Sequence, residues 1–327
     1  MMKKFSRCGL LALVIFAALG LAPVTVQGEM ADEAFLELCR WGTVEEMRDA
    51  LAAGADVHAR DMKGGTALMW AALHNPRPEV VKVLLEAKAD VHAKDNLSGT
   101  ALMAAAGGNS NPEVVKALLA GGADIHARTK YGVTALMIAA GGNSNPEVIK
   151  ALLAGGADVN ERDKYGLTAL IAAAWMNSNP EVVKALLAGG ADANVKDANG
   201  ATALILSAES NPNPEVVKAL LAGGADANAK NENDATALIL SAENNPNPEV
   251  VKALLAGGAD ADVKYKNGVT VLMWAAKNNA NPEVVKVLLA AGADVHAMDN
   301  DEHNAIWHAR HNETGSREKI IQILEGH

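Results

Sequence analysis

The chain has 327 residues, a formal net charge of -10 and two cysteines, and half of its residues are apolar although only 3% are aromatic. Two cysteines exclude a disulfide scaffold and a four-cysteine zinc module, and the acidic balance argues against holding nucleic acid or an anionic membrane by charge. Length alone suggests about two ordinary domains, but so few aromatic side chains leave the core to Ala, Leu and Val, a helical bias.

Residues 1–28 carry Lys3, Lys4 and Arg7, then an apolar run from Cys8 to Ala22, then Val26-Gln27-Gly28, with short residues where a signal peptidase cuts. The segment resembles a secretory signal peptide. Its apolar run is shorter than the ~20 residues of a spanning helix, so cleavage near Gly28 is expected, with export to the periplasm or the medium and no membrane insertion afterwards. Cys8 precedes the run and is not placed as a lipoprotein cysteine. Loss of this segment would take the net charge to about -13 and leave one cysteine.

From there the chain repeats. Thr-Ala-Leu-Met at Thr66 recurs, with small changes, at Thr100, Thr134, Thr168, Thr202, Thr236 and Thr270, every interval being 34 residues. Pro-Glu-Val-Val-Lys, first at Pro78, recurs in the same period through Pro282, as does Gly-Ala-Asp, with Lys88 once in place of the glycine. Each unit reads as a short helix (Thr134 to Ala140), a start signal made of Asn145, Pro146 and Glu147, and a second helix (Val148 to Leu153). A stop follows at Gly155-Gly156, then a polar finger from Ala157 to Gly166, extended or hairpin-like. No unit can bury its apolar face alone, so the units must stack.

The pattern Gly-x-Thr-Ala-Leu-x-x-Ala-Ala, then Glu-Val-Val-Lys-x-Leu-Leu, then Gly-Ala-Asp-Val-Asn or His, resembles the ankyrin repeat over about residues 31 to 327. The resemblance implies an all-α repeat solenoid of nine stacked helix pairs with loop or β-hairpin fingers. Residues 29–327 would form a single domain: an N-terminal cap over about 31–59, internal repeats over about 60–297 and a C-terminal cap over about 298–327. The units run 34 residues against the usual ~33, the extra residue falling in the Asn-Ser-Asn-Pro or Asn-Pro-Asn-Pro link. Ala and Met or Ile stand where the family's Thr-Pro-Leu-His has Pro and His.

Catalytic and metal chemistry find little footing. His58, His92, His126 and His296 share one column, but stacked units lie ~10 Å apart, so they cannot share an ion; a hydrogen-bonding role at the finger base is expected. His303, His308 and His311 are weakly metal-like without ligands from a second helix. Asp299 to Asn304 hints at a calcium loop, yet Arg310 stands where a bidentate glutamate is required. Gly107-Gly108 and Gly141-Gly142 lack a phosphate-loop signature and read as helix stops, and Cys39 falls in a column of inward alanines, as a buried thiol. No catalytic residue, metal or cofactor is expected, and the chain reads as a non-enzyme.

What remains is binding. A basic ladder (Arg60, Lys94, Arg128, Arg162, Lys196, Lys230, Lys264) is followed by Asp61, Asp95, Asp163 and Asp197, which would neutralise it within the finger; otherwise an anionic polymer or small molecule would lie along it. The resemblance implies an interaction scaffold, here of the cell envelope, with a protein partner held by fingers and the concave face of the inner helices; a second alternative is an inhibitor or accessory protein of an exported enzyme. Those positions are Met62, Lys63, Leu73 and His74 in the first full repeat; Tyr131 and Val133 in the third; and Lys164, Tyr165, Leu167, Trp175 and Met176 in the fourth. Glu209, Glu232, Glu243, Lys266 and Lys277 follow in later repeats. Trp70 and Trp274 share a column with Ile138, Leu206 and Leu240 and read as core, leaving Tyr131, Tyr165, Trp175 and Met176 as anchors.

Overall fold

A computed structural model describes residues 32–327; residues 1–28, read from the sequence as a signal peptide, lie outside them with Cys8. Eighteen α-helices occur among the described residues, in pairs, as the repeat pattern requires. The first helices of the pairs are α1 (Asp32–Trp41), α3 (Ala67–His74), α5 (Ala101–Gly108), α7 (Ala135–Gly142), α9 (Ala169–Met176), α11 (Ala203–Ser210), α13 (Ala237–Asn244), α15 (Val271–Asn278) and α17 (Ala305–Arg310). The second helices are α2 (Val44–Ala52), α4 (Pro78–Glu86), α6 (Pro112–Ala120), α8 (Pro146–Ala154), α10 (Pro180–Ala188), α12 (Pro214–Ala222), α14 (Pro248–Ala256), α16 (Pro282–Ala290) and α18 (Arg317–Glu325). None of them is long and apolar enough to cross a membrane. Contacts divide the chain into two compact units, the first with residues up to 139 and 147–158, the second with 140–146 and 159–327.

Within each unit first helices pack on first helices and second on second. Small residues permit this: Ala71, Ala72, Ala105 and Ala106 in the first unit and Ala173, Ala174 and Ala208 in the second are fully buried. Leu84, Leu118, Leu186, Leu220 and Leu254 fill the layer below, on second helices. Thr66, Thr100, Thr168, Thr202, Thr236 and Thr270 cap the first helices, each hydroxyl accepting the amide three residues on. The second helices start as the Asn-Pro-Glu signal predicts: Asn111, Asn179, Asn213, Asn247 and Asn281 accept the glutamate amide, with Pro at the first helical position.

The glycine pairs after the first helices are not stops. Gly107 and Gly108 form the last turn of α5, and Asn109 caps it. Their lack of a side chain is what matters: a Cβ would meet Ile138 Cγ2 at 2.8 Å from Gly107 and Leu73 Cδ1 at 2.2 Å from Gly108.

At the end of the second helices the stop is as read, with Gly122, Gly156, Gly190, Gly224, Gly258 and Gly292 at positive φ, where only glycine is unstrained. Lys88 holds the same place at φ 72°. A Cβ in the equivalent glycines meets nothing within 4 Å, so the lysine gains no packing there. Lys88→Gly is therefore expected to stabilise by about 1 kcal/mol, seen as a rise of a few degrees in a thermal melt.

The link between the helices of a pair is a buried hydrogen-bond ladder. Asn75, Asn109, Asn177, Asn211, Asn245, Asn279 and Asn312 are buried, and each donates through Nδ2 to two carbonyls of the preceding repeat. Asn109 reaches Ala72 and Asn75 (3.0 and 2.8 Å), and Asn211 reaches Ala174 and Asn177 (3.1 and 3.0 Å). Their Oδ1 atoms accept the amide two residues on, as from Asn111 and Asn213. The residue that lengthens the repeat lies in this link, whose second asparagine also bonds the preceding repeat, Asn213 to Ser178 and Asn247 to Pro212. In the C-terminal cap Asn312 keeps the ladder at the start of the lengthened loop, with Nδ2 on Ala276 and Asn279.

Candidate functional site

The fingers are tight turns; among the described residues, strand pairing is reduced to the isolated bridges Arg60 with Thr66, Lys230 with Thr236 and Lys264 with Thr270. Apart from the turn at Tyr265, which closes through its backbone bonds, the turns are also closed from inside by one side chain. Asp61 Oδ1 accepts the amides of Lys63 and Gly65 (2.7 and 2.8 Å), Asp95 those of Leu97 and Gly99, Asp163 those of Tyr165 and Leu167, and Asp197 those of Asn199 and Ala201. Thr129 and Asn231 do the same work. These acids are turn clasps and do not neutralise the basic ladder, contrary to the expectation. Arg60, Arg162 and Lys196 instead donate to the carbonyls of Lys94, Lys196 and Lys230, one repeat further on.

The histidine column behaves similarly. His58, His92, His126 and His296 are exposed, and it is their backbone amides that bond, to Asp56, Asp90, Asp124 and Asp294. The side-chain role predicted for this column falls to Asn160, Asn194 and Asn228, which clip Gly190, Gly224 and Gly258 and accept from Asp192, Asp226 and Asp260.

In the first unit the fingers and first helices bound a cleft of about 350 Å³. Lys63 and Leu73, both expected at a binding surface, line it, together with Trp70, Leu97, Met103 and Ile138. Reading Trp70 as core is corrected: it is half-buried, its Nε1 donates to Asp61 Oδ2 (2.9 Å), and Ala104 beside it in the repeat column leaves the ring standing at the cleft. The His74 ring lies tilted against Trp41 and Trp70, with centroids 5.8 and 5.7 Å away, and the Arg40 guanidinium sits 5.0 Å over the Trp70 ring. Burial, and then the Arg40 charge, push the His74 imidazole below its usual pKa. Met62 is fully exposed and Tyr131 is 51% exposed on finger tips. Cys39 is buried, and that burial pushes its thiol up to about 12, so it is unreactive.

In the second unit Tyr165 and Lys164 are exposed on a finger tip and Leu167 is half-buried behind them. Trp175 (48%) and Met176 (66%) stand exposed at the end of α9. Glu209 and Glu243 occupy the equivalent turn of α11 and α13, and burial and then the Glu209 charge raise the Glu243 pKa, against Lys277. Trp274 is also half-buried rather than core, its ring edge-on to Tyr265 at 5.6 Å. Tyr131 belongs to the first unit, Tyr165, Trp175 and Met176 to the second.

At the C-terminal end His303 stacks on Trp307 at 3.6 Å. His308 is buried with Nε2 2.9 Å from Asp299 Oδ2, while His311 Nδ1 contacts the Trp307 carbonyl. His303 and His308 thus both face Asp299 Oδ2 (3.8 and 2.9 Å) while His311 turns away; among the described residues, Asp299, Asp301 and His303 are the groups whose ligand atoms lie within 4.8 Å of one another. Asp299 is the clasp of its finger, accepting the amides of Asp301 and His303, which is why the segment resembles a calcium loop.

The family model described as "Ankyrin repeats (3 copies)" matches residues 35–129, 102–197, 170–260 and 238–326. The chain belongs to the ankyrin repeat family. Comparison with curated proteins gives no match. Ankyrin repeats generally mediate protein–protein interaction and are typically non-enzymatic scaffolds, and the fold class inferred from the sequence is the one observed. Sequence reasoning missed Leu97, although it shares the finger-tip column of Tyr131 and Tyr165, and it missed Met298, which stands in the basic column; both are more than half exposed.

Proposed function

We propose that this ankyrin protein is an exported, non-enzymatic scaffold of the cell envelope that binds a partner protein through its finger and first-helix face. One observation supports the reading. Among the described residues the exposed large apolar side chains are Trp41, Met62, Leu97, Tyr131, Tyr165, Trp175, Met176 and Met298, and every one lies on a finger or at the end of a first helix. Second helices instead present Glu and Lys pairs to water, such as Glu113 with Lys116 and Glu181 with Lys184. Exposed aromatic and Met side chains are what anchors interfaces. Export rests on the basic and apolar character of residues 1–28. A salt-dependent ligand along the basic column is disfavoured, because Arg60, Arg162 and Lys196 are engaged with backbone carbonyls.

Capture from the extracytoplasmic fraction tests this, comparing the mature chain with a Met62→Ala/Tyr131→Ala variant and a Tyr165→Ala/Trp175→Ala/Met176→Ala variant. At least one variant should lose capture more than tenfold at an unchanged melting temperature; equal capture by all three rejects the surface. N-terminal sequencing should find residues 1–28 removed, and their retention in a membrane fraction rejects soluble export.

A further inference from the structure

In two repeats the second oxygen of the clasp carboxylate also meets a ring nitrogen. In the first full repeat Asp61 Oδ2 accepts the Trp70 indole N–H, nine residues on, at 2.9 Å. In the last repeat Asp299 Oδ2 meets His308 Nε2, again nine residues on, at 2.9 Å. Where the acid is absent the ring nitrogen suffers: Tyr265 stands in the clasp column, and Trp274 Nε1 is buried with no partner. In the repeats of Asp61 and Asp299 the clasp carboxylate pairs with an aromatic ring nitrogen nine residues on, a place held by Ala172 after Asp163 and by Leu206 after Asp197.

At Asp95 the other half of the pair is missing. Its Oδ1 holds the turn through the Leu97 and Gly99 amides, while nothing among the described residues donates to Oδ2. Nine residues on stands Ala104, whose methyl cannot reach it. Asp95 and Ala104 both line the 350 Å³ cleft, with Met69, Trp70, Leu97 and Ile138 around them. A cleft of this size with mostly apolar walls and a few polar groups, here Asp61, Lys63, Asp95 and Thr129, is the form that small binding sites take.

We propose that this cleft receives a tryptophan side chain of the partner protein, its indole filling the place of the ring absent at Ala104 and its N–H donating to Asp95 Oδ2. The assignment rests on the scaffold reading above and names what its first unit recognises. The free carboxylate oxygen favours an N–H donor over an apolar ring, since an oxygen covered by a group unable to donate would lose its hydration without replacement. The occupant copies a pairing that the chain makes for itself at Trp70 and at His308.

The test uses the full chain, methyl-labelled, titrated with N-acetyl-tryptophanamide and with the same probe methylated on the indole nitrogen. Shifts should concentrate at Met69, Leu73, Leu97, Met103 and Ile138, and the methylated probe should bind about tenfold more weakly. Asp95→Asn keeps the turn, as Asn231 does in the same column, and should bring the two probes to equal affinity. Ala104→Trp should fill the cleft from within and abolish both. Absence of shifts at these methyls, equal binding of the two probes to the unmodified chain, or an Asp95→Asn variant that still separates them overturns the proposal. A methyl response without partner capture supports the cleft and rejects the wider scaffold reading, whereas capture without a methyl response rejects the cleft alone.

Discussion

Replacing Asn211 by alanine is expected to destabilise the second unit by about 3 kcal/mol or more. The side chain is 3% exposed, and its loss strips a partner from the Ala174 and Asn177 carbonyls and from the Asn213 amide at once. Each buried group left unpaired costs on the order of 1–3 kcal/mol, and alanine supplies no replacement. Asn213, two residues on, is the control. It is half-buried, caps α12 through the Glu215 amide and donates to Ser178, so Asn213→Ala should cost only about 1 kcal/mol. Urea titrations of the two variants separate them by midpoint at similar slope. Equal losses of 1 kcal/mol or less would mean that the first asparagine of the link is no more than a second cap. Stability in stacked repeats is a sum of unit and neighbour terms, so a broken rung should also split the transition.

Why that ladder was missed while the helices were found is a matter of what a one-dimensional pattern carries. Helix starts depend on adjacent residues, and Asn-Pro-Glu announces them wherever it occurs. The first asparagine of the link is just as regular, at Asn75, Asn109, Asn177 and Asn211, yet an Asn beside Ser and Pro reads as solvent-exposed spacer. Its burial arises from the carbonyls of the preceding repeat, which only stacking brings near. The same limit governs Trp70. Column comparison placed it with Ile138 and Leu206 as core, but a column states what is equivalent, and exposure depends on the neighbour, here Ala104. Fingers were legible as turns from their Gly, Asn and Asp content. That the acid closes the turn, and that the base crosses to the next finger, required the positions of the amides and carbonyls. The residues expected at a binding surface were legible as variable positions, and the structure puts Met62, Tyr131, Tyr165, Trp175 and Met176 at the surface.

The C-terminal cap should be the place where one clasp matters most. Asp299 is 9% exposed and His308 6%; the carboxylate holds two backbone amides and the imidazole together, and His308 Nδ1 is already without a partner. Asp299→Ala would leave a buried ring with neither nitrogen paired and an open turn, a loss expected at about 3 kcal/mol, read as early exchange of the α17 and α18 amides and a lower urea midpoint. Burial by itself would raise the Asp299 pKa, but the His303 amide, the His308 ring and the Asp301 amide together hold it below 3.8. A carboxyl that binds its proton less tightly when folded contributes in full above its unfolded value, and that contribution fades as pH falls through the lower folded value. The stability difference between the parent chain and Asp299→Ala should therefore be constant near neutral pH and shrink only below about 3.8. Asp299→Asn retains a clasp oxygen for the two amides and can meet a reoriented imidazole tautomer, so it should lose less than alanine. It should also lack the parent chain's fall in stability at acid pH that comes from this carboxyl, because the group that titrates is gone while the turn it closed remains.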